Sequence, residues 1–121
     1  MKSVFTLCIC IILLSCKVKQ TLPDPLEAGW KGEKVCEIVH KTNKLRVLKC
    51  TFKPNGGHEK HYHKPHFGYT IKGSIFRIID DKGVREVNVK TGTKFKKDII
   101  SEHEVLNIGD STAVFLIVEY K

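Results

Sequence analysis

From Lys34 to the end of the chain, apolar and polar residues alternate in short runs separated by turn-forming residues. "KVCEIVH" and "LRVLKCTF" flank "KTNK", whose Asn43 and polar neighbours suit a hairpin turn. "YTIKG" and "SIFRIID" follow, then "DKG" as a turn, "VREVNV", and "TG" as a second turn. "TKFKKDII" comes next, then "HEVLNIGDS" with a turn over Asn107 to Asp110, and "TAVFLIVEY" ends the chain. Seven to nine short strands at intervals of about ten residues, with no helical periodicity, predict an antiparallel all-β sandwich or barrel. Phe67, Ile71, Ile75, Phe76, Ile78, Val114, Phe115 and Ile117 are the expected core residues.

The first 33 residues lack this pattern. "MKSVFTLCICIILLSC" has a short basic start and an apolar run of 11 residues from Val4 to Leu14. About 20 apolar residues are needed to span a bilayer, so the run reads as a secretory signal. Leu13-Leu14-Ser15-Cys16 resembles the lipobox of bacterial lipoproteins, in which the signal is cut before the cysteine and that cysteine is lipidated. The resemblance implies a signal peptide over 1–16, a lipid anchor at Cys16 and an exported, membrane-tethered product. Lys17 stands where many bacteria place an Asp to retain lipoproteins at the inner membrane, which favours the outer membrane or the periplasmic face. Residues 17–33 carry two prolines and two glycines and read as a tether with one docking aromatic, Trp30. The folded domain is then 34–121.

Five cysteines reduce to two in that domain, since Cys8 and Cys10 leave with the signal and Cys16 is the anchor. Cys36 and Cys50 are equidistant from Asn43, so a hairpin centred there sets them face to face. Export permits a disulfide. Directly opposed Cβ atoms lie about 4.5–5.5 Å apart and a disulfide wants about 3.5–4.5 Å, which favours two packed thiols over a bond. The formal net charge is +8, or +7 once Lys2 is removed with the signal. The lysines are dispersed, with no arginine block and little aromatic interleaving, so the charge describes a soluble basic surface and nucleic acid is not an expected partner.

The candidate chemistry lies in "HYHKPHFGYTIKG", residues 61–73. Side chains two apart on a strand share a face, so His61 and His63 can bind one ion if a third ligand converges from elsewhere. Pro65 interrupts the strand, which frees His66 from the alternation to turn back toward the pair. His103, on a remote strand, is the distant ligand candidate. His40 belongs to the hairpin turn and is expected to be exposed. His58 reads as a solvated loop residue, with lining of the pocket mouth as the functional alternative. Tyr69 reads as packing before acid–base chemistry, and Asn107 as a turn former before catalysis. Glu59, Glu102 and Glu104 are the acids nearest the histidines, and none has a spacing that forces it into a site.

"NGGHEKHYHKPHFGYTIKG" and "GTKFKKDIISEHEVLN" resemble the two signature motifs of the cupins. In the first motif His61 and His63 fit the His-x-His, Gly73 fits the closing glycine, and Asn55 stands in place of the leading glycine. His66 occupies the position of the family's glutamate, after a gap one residue shorter than usual. In the second motif Gly92, His103 and Asn107 are in register, while Asp98 and Ile100 replace a proline and a glycine. The resemblance covers residues 34–121 and implies a jelly-roll barrel. It implies one divalent transition metal (Fe, Mn, Ni, Cu or Zn) on His61, His63 and His103. His66 is either a fourth ligand or a neighbour that leaves coordination positions open. Imidazoles suit Zn, Cu, Fe and Ni.

Fold does not fix function, and cupins include dioxygenases, isomerases, storage proteins and sensors. The favoured reading is a membrane-anchored, metal-dependent small-molecule-binding protein of oxidoreductase type, dioxygenase- or isomerase-like. A non-catalytic metal- or ligand-binding module, and an interaction lipoprotein with a vestigial site, are the alternatives. Expected partners are a small molecule of unassigned identity and the membrane through the anchor, with a homodimer left open. Replacing Cys16 by Ala should release the protein from membranes or leave it unprocessed, read by fractionation and mass. A Cys16→Ala protein that matures and fractionates like the parent overturns the anchor.

Overall fold

The computed structural model describes residues 20–121. The signal reading over 1–16 and the lipidation of Cys16 lie outside the described residues. Those residues contain eleven strands and no helical segment. In chain order they are β1 (Gly29–Trp30), β2 (Glu33–Lys34), β3 (Cys36–Lys41), β4 (Leu45–Phe52), β5 (Gly57–His63), β6 (His66–Lys72), β7 (Ser74–Asp80), β8 (Gly83–Val89), β9 (Lys94–Lys97), β10 (Ser101–Asn107) and β11 (Ala113–Tyr120). A five-stranded sheet in the order β3-β4-β11-β6-β9 faces a four-stranded sheet in the order β5-β10-β7-β8, and all described pairings are antiparallel. β1 and β2 form a small separate hairpin.

The pleat explains the core. On β11, Ala113, Phe115, Ile117 and Glu119 are buried, whereas the residues between them are only partly covered. Leu48 and Phe52 from β4, Phe76 from β7 and Val105 from β10 complete one cluster. The rings of Phe52, Phe76 and Phe115 meet edge-to-face at 5.3–5.7 Å, a favoured aromatic geometry. Phe76, Phe115 and Ile117 are core residues as predicted. Ile71 and Ile75 are not, being 44% and 41% exposed. Phe67 and Val114 are also outside the cluster. β7 and β11 carry apolar residues on both faces, and the inward face of β6 belongs to His66, Gly68 and Thr70. A methyl on Gly68 would collide with the ring of Phe95, so the missing side chain is what admits that ring to the interior.

Two expectations are corrected. Cys36 and Cys50 form a disulfide rather than two packed thiols. They are register partners, and the neighbouring bond from Thr51 N–H to Val35 O places them at a non-hydrogen-bonded position, where strands approach most closely. Their Cα atoms are 4.1 Å apart. The tether reading of residues 17–33 also fails to describe residues 23–33. Ala28 is buried, Trp30 covers Gly57 of β5, and Asp24 binds Arg46 of β4. Its prolines and glycines shape a packed turn and hairpin instead of a free linker.

Alkylation of unreduced protein should find neither Cys36 nor Cys50 reactive, and reduction should expose both. Replacing the pair by Ser should lower stability by about 2–4 kcal/mol, the usual contribution of a native disulfide, read by denaturant unfolding. Two free thiols before reduction would contradict the bond.

Candidate metal centre and cavity

His61 and His63 lie on β5 with both rings buried. His103 lies on β10 directly opposite His61 in the ladder. The register between β5 and β10 shifts just beyond that pair, so β5 carries an extra residue between His58 and His61. Glu59 and Lys60 are therefore both exposed, and His58 turns inward although three positions separate it from His61. The Pro65 break has the parallel effect on the other side: β6 restarts at His66 with its ring inward and 4.8 Å from that of His63.

The ring nitrogens converge. His61 Nε2 is 2.9 Å from His63 Nε2 and 3.2 Å from His103 Nε2. Nitrogens at about 2.0–2.1 Å from one tetrahedral ion lie about 3.3 Å from each other, so these separations match a shared metal. Hydrogen bonds on the other edges of the rings fix the tautomers. His61 Nδ1–H donates to Glu59 O at 2.6 Å, His63 Nδ1–H to Glu119 Oε1 at 2.8 Å, and His66 Nδ1–H to Lys64 O at 2.7 Å. Each bond leaves the Nε2 lone pair bare, the form that ligates metals. Bare nitrogens of His61 and His63 facing each other at 2.9 Å repel unless a cation lies between them. The donor set therefore fits the metal implied by the sequence. His61, His63 and His103 form the group whose ligand atoms converge within 4.8 Å, and His66 stands beside it, outside that group.

Burial keeps the rings of His61, His63 and His103 neutral. It pushes His61 down to about 4, with the neighbouring His58 ring adding to the effect. His63 and His103 lie well below the usual imidazole range, first through burial and then through the surrounding histidines. The His63–Glu119 contact is thus a hydrogen bond from a neutral ring to a carboxylate.

Beside the histidines lies a cavity of about 300 Å³, walled by Phe52, Phe76, Phe95, Phe115 and Ile117 and edged by Asp80, Arg85 and Lys97. Arg85 Nη1 is 2.9 Å from Asp80 Oδ1, while Lys97 has no carboxylate within salt-bridge distance among the described residues. Lys97 pairs in register with His66 and so shares its inward face.

The remaining predicted residues separate clearly. His58 is 2% exposed, not solvated. Its Nε2 lies 3.1 Å from Pro25 O and 3.2 Å from Ala28 O, and its ring stacks on His61 at 3.8 Å. Strict alternation hides this inward turn, which the extra β5 residue creates. Tyr69 faces outward at 38% exposure, away from the cavity, because His66, Gly68 and Thr70 take the inward positions. Asn107 is fully buried but away from the cavity; its side chain donates to Phe52 O and Ser111 O and accepts from Ser74 Oγ and Gly109 N–H. It is a knot in the loop structure. His40 is exposed on β3, and Glu59 and Glu102 are exposed. The residue that sequence reading missed is Glu119, 1% exposed, with Arg46 on Oε2 and His63 on Oε1. The alternation through Ala113, Phe115 and Ile117 points it inward.

No protein-family model matches the chain, and no curated protein matches it. Solved structures do. A cupin domain from Bordetella pertussis Tohama I superposes with a TM-score of 0.67 at 18% identity, covering 85% of this chain and 99% of that one. The fold is a cupin barrel. An RmlC-like cupin with a double-stranded β-helix fold from Methanocaldococcus jannaschii gives a TM-score of 0.58 at 16% identity over 71% of this chain and 78% of that one. The polyketide cyclase RemF from Streptomyces resistomycificus gives 0.53 at 23% identity over 65% of this chain and 56% of that one. At these identities the likeness establishes the cupin architecture.

His58, His61, His63 and His103 predict how the metal-free protein responds to acid. Their folded pKa values lie below the value of about 6.5 in an unfolded chain, so below that pH the unfolded state binds more protons. Stability is complete above pH ~6.5 and falls as pH drops toward about 4, the value for His61, at about 1.4 kcal/mol per pH unit for each histidine still neutral in the fold. Urea midpoints of metal-free protein between pH 7.5 and 4.5 should fall accordingly. A flat profile would show that the rings are not buried neutral.

Proposed function

We propose that this cupin binds one divalent transition metal on His61, His63 and His103 and holds a small anionic ligand with an apolar body in the adjoining cavity. The observation that carries the reading is the convergence of the Nε2 atoms of His61, His63 and His103, with the rings of His61 and His63 held in the ligating tautomer from behind. Three imidazoles leave positions open, with His66 beside them. Such a metal supplies a Lewis acid that polarises an oxygen atom of a bound molecule. The residues do the rest. Phe52, Phe76, Phe95 and Phe115 exclude water and take the apolar body. At the edge, Asp80 is paired with Arg85 while Lys97 has no ion-pair partner among the described residues, an excess of positive charge that favours a carboxylate or similar anion. An oxidoreductase of dioxygenase type is the enzymatic form of this arrangement. Anchoring through Cys16 would place it at the membrane of the exported compartment, supported by "LLSC" after the apolar run.

Metal analysis of the purified protein after equilibration with Fe(II), Mn(II), Ni(II), Cu(II) or Zn(II) tests the reading. About one metal per chain is expected. Single Ala replacements of His61, His63 or His103 should abolish most binding, and His40→Ala should change nothing. The loaded protein should bind 4-phenylbutyrate in preference to 4-phenylbutylamine, and Lys97→Gln should weaken the carboxylate. A protein that takes none of the five metals overturns the proposal, and bound carboxylates that support no O₂ uptake reduce it to a binding module.

A further inference from the structure

The segment 23–28 touches the histidine site at three separate points. Tyr62, between His61 and His63, donates its backbone N–H to Pro23 O at 3.2 Å. His58, stacked on His61, is held at Nε2 by Pro25 O and Ala28 O. Asp24 Oδ2 is 2.8 Å from Arg46 Nη2, which in turn lies 2.6 Å from Glu119 Oε2. Glu119 Oε1 accepts from His63 Nδ1 at 2.8 Å. The chain Asp24–Arg46–Glu119–His63 thus runs from an amino-terminal turn to the back of a metal ligand.

We infer that residues 23–28 are a clamp that sets the geometry of the histidine centre, with Asp24, Arg46 and Glu119 as positioning residues acting through His63. The inference rests on the metal-binding reading above. Glu119 has both oxygens engaged, by Arg46 and by His63, and stands outside the converging ligand group. Its role is to fix which nitrogen of His63 carries the proton and where the ring points. Arg46 determines where that carboxylate sits, and Asp24 restrains Arg46. Arg46 and Asp24 retain only 15% and 21% side-chain exposure, so little water is available to replace either partner. In sequence six residues separate the segment from Cys16, the residue proposed to carry the anchor, which places the clamp between membrane attachment and the metal site.

The test uses the full chain with Co(II) as the probe and a competing chromophoric chelator to read affinity. Glu119→Gln should weaken Co(II) binding by about 10–100-fold, as loss of an outer partner of a ligating histidine does. Asp24→Asn, which keeps the side-chain shape, should weaken it by about threefold. Because Asp24 acts through Glu119, its effect should vanish in the Glu119→Gln background. Glu37→Gln, in an exposed pair with Lys49, is the control and should change nothing. A second readout needs no metal. In the ¹⁵N spectrum of metal-free protein, the His63 ring should show the Nδ1–H form, and Asp24→Asn should move its signals while leaving those of His40 in place. Unchanged His63 signals, or an equal Asp24→Asn loss in both backgrounds, overturn the clamp. If the parent takes up no Co(II), the metal reading fails, while the His63 signals still decide the clamp.

Discussion

The structure turns on one buried carboxylate. Glu119 lies on the inner face of β11, in a cross-strand row with Arg46 on β4 and His66 on β6, and Lys97 continues the row on β9. A carboxylate at 1% exposure is tolerable only if its charge and lone pairs are met. Arg46 meets the charge and His63 takes the remaining oxygen. That requirement has consequences in three directions. It brings the amino-terminal turn in through Asp24, it holds β4 and β11 in register at the polar end, and it fixes the tautomer of a central histidine. Removing one partner would leave a buried charge unpaired, which costs about 3–5 kcal/mol in comparable settings.

The barrel is divided along its strands. At one level the inner face is aromatic, with Phe52, Phe76 and Phe115 in contact. At the other it is imidazole, with His58, His61, His63, His66 and His103 in contact. The same alternation produces most of both levels, so the site costs no irregularity in the sheet beyond the extra residue of β5 and the Pro65 break before β6. The dryness that packs the aromatic level also keeps His61, His63 and His103 neutral, and neutral rings are the ones that can share a cation. The cavity lies where the two levels meet.

Much of this was legible in the sequence because period-two patterning and turn residues are local signals. β4 and β7 coincide with "LRVLKCTF" and "SIFRIID", and His61, His63 and His103 were readable from spacing and order. What was not legible depends on register. His58 reads as a solvated loop residue in sequence, whereas it lies on β5, where the extra residue between it and His61 turns it to the interior. Ile71 and Ile75 were read as core because an apolar run does not say which face is buried. The ordinary spacing of opposed Cβ atoms disfavours the disulfide, because hydrogen-bonded and closer non-hydrogen-bonded pairs look identical in sequence. The packed role of residues 23–28 was hidden by prolines, which signal a linker and a rigid turn equally well.

Glu119 is the instructive omission. Its position follows from the alternation that correctly places Phe115 and Ile117, but the residue type argues for the surface, and type outweighs pattern when no partner is visible. Its partners lie 73 and 56 positions away in sequence. They adjoin only because β4 and β6 flank β11 in one sheet, and the β5–β6 turn brings His63 over it. A charged residue on the inward phase of an apolar strand is therefore informative in a barrel of this kind. The fold retains it only where an opposite charge and a hydrogen-bond donor already converge, and in this chain that place is the back of the histidine centre.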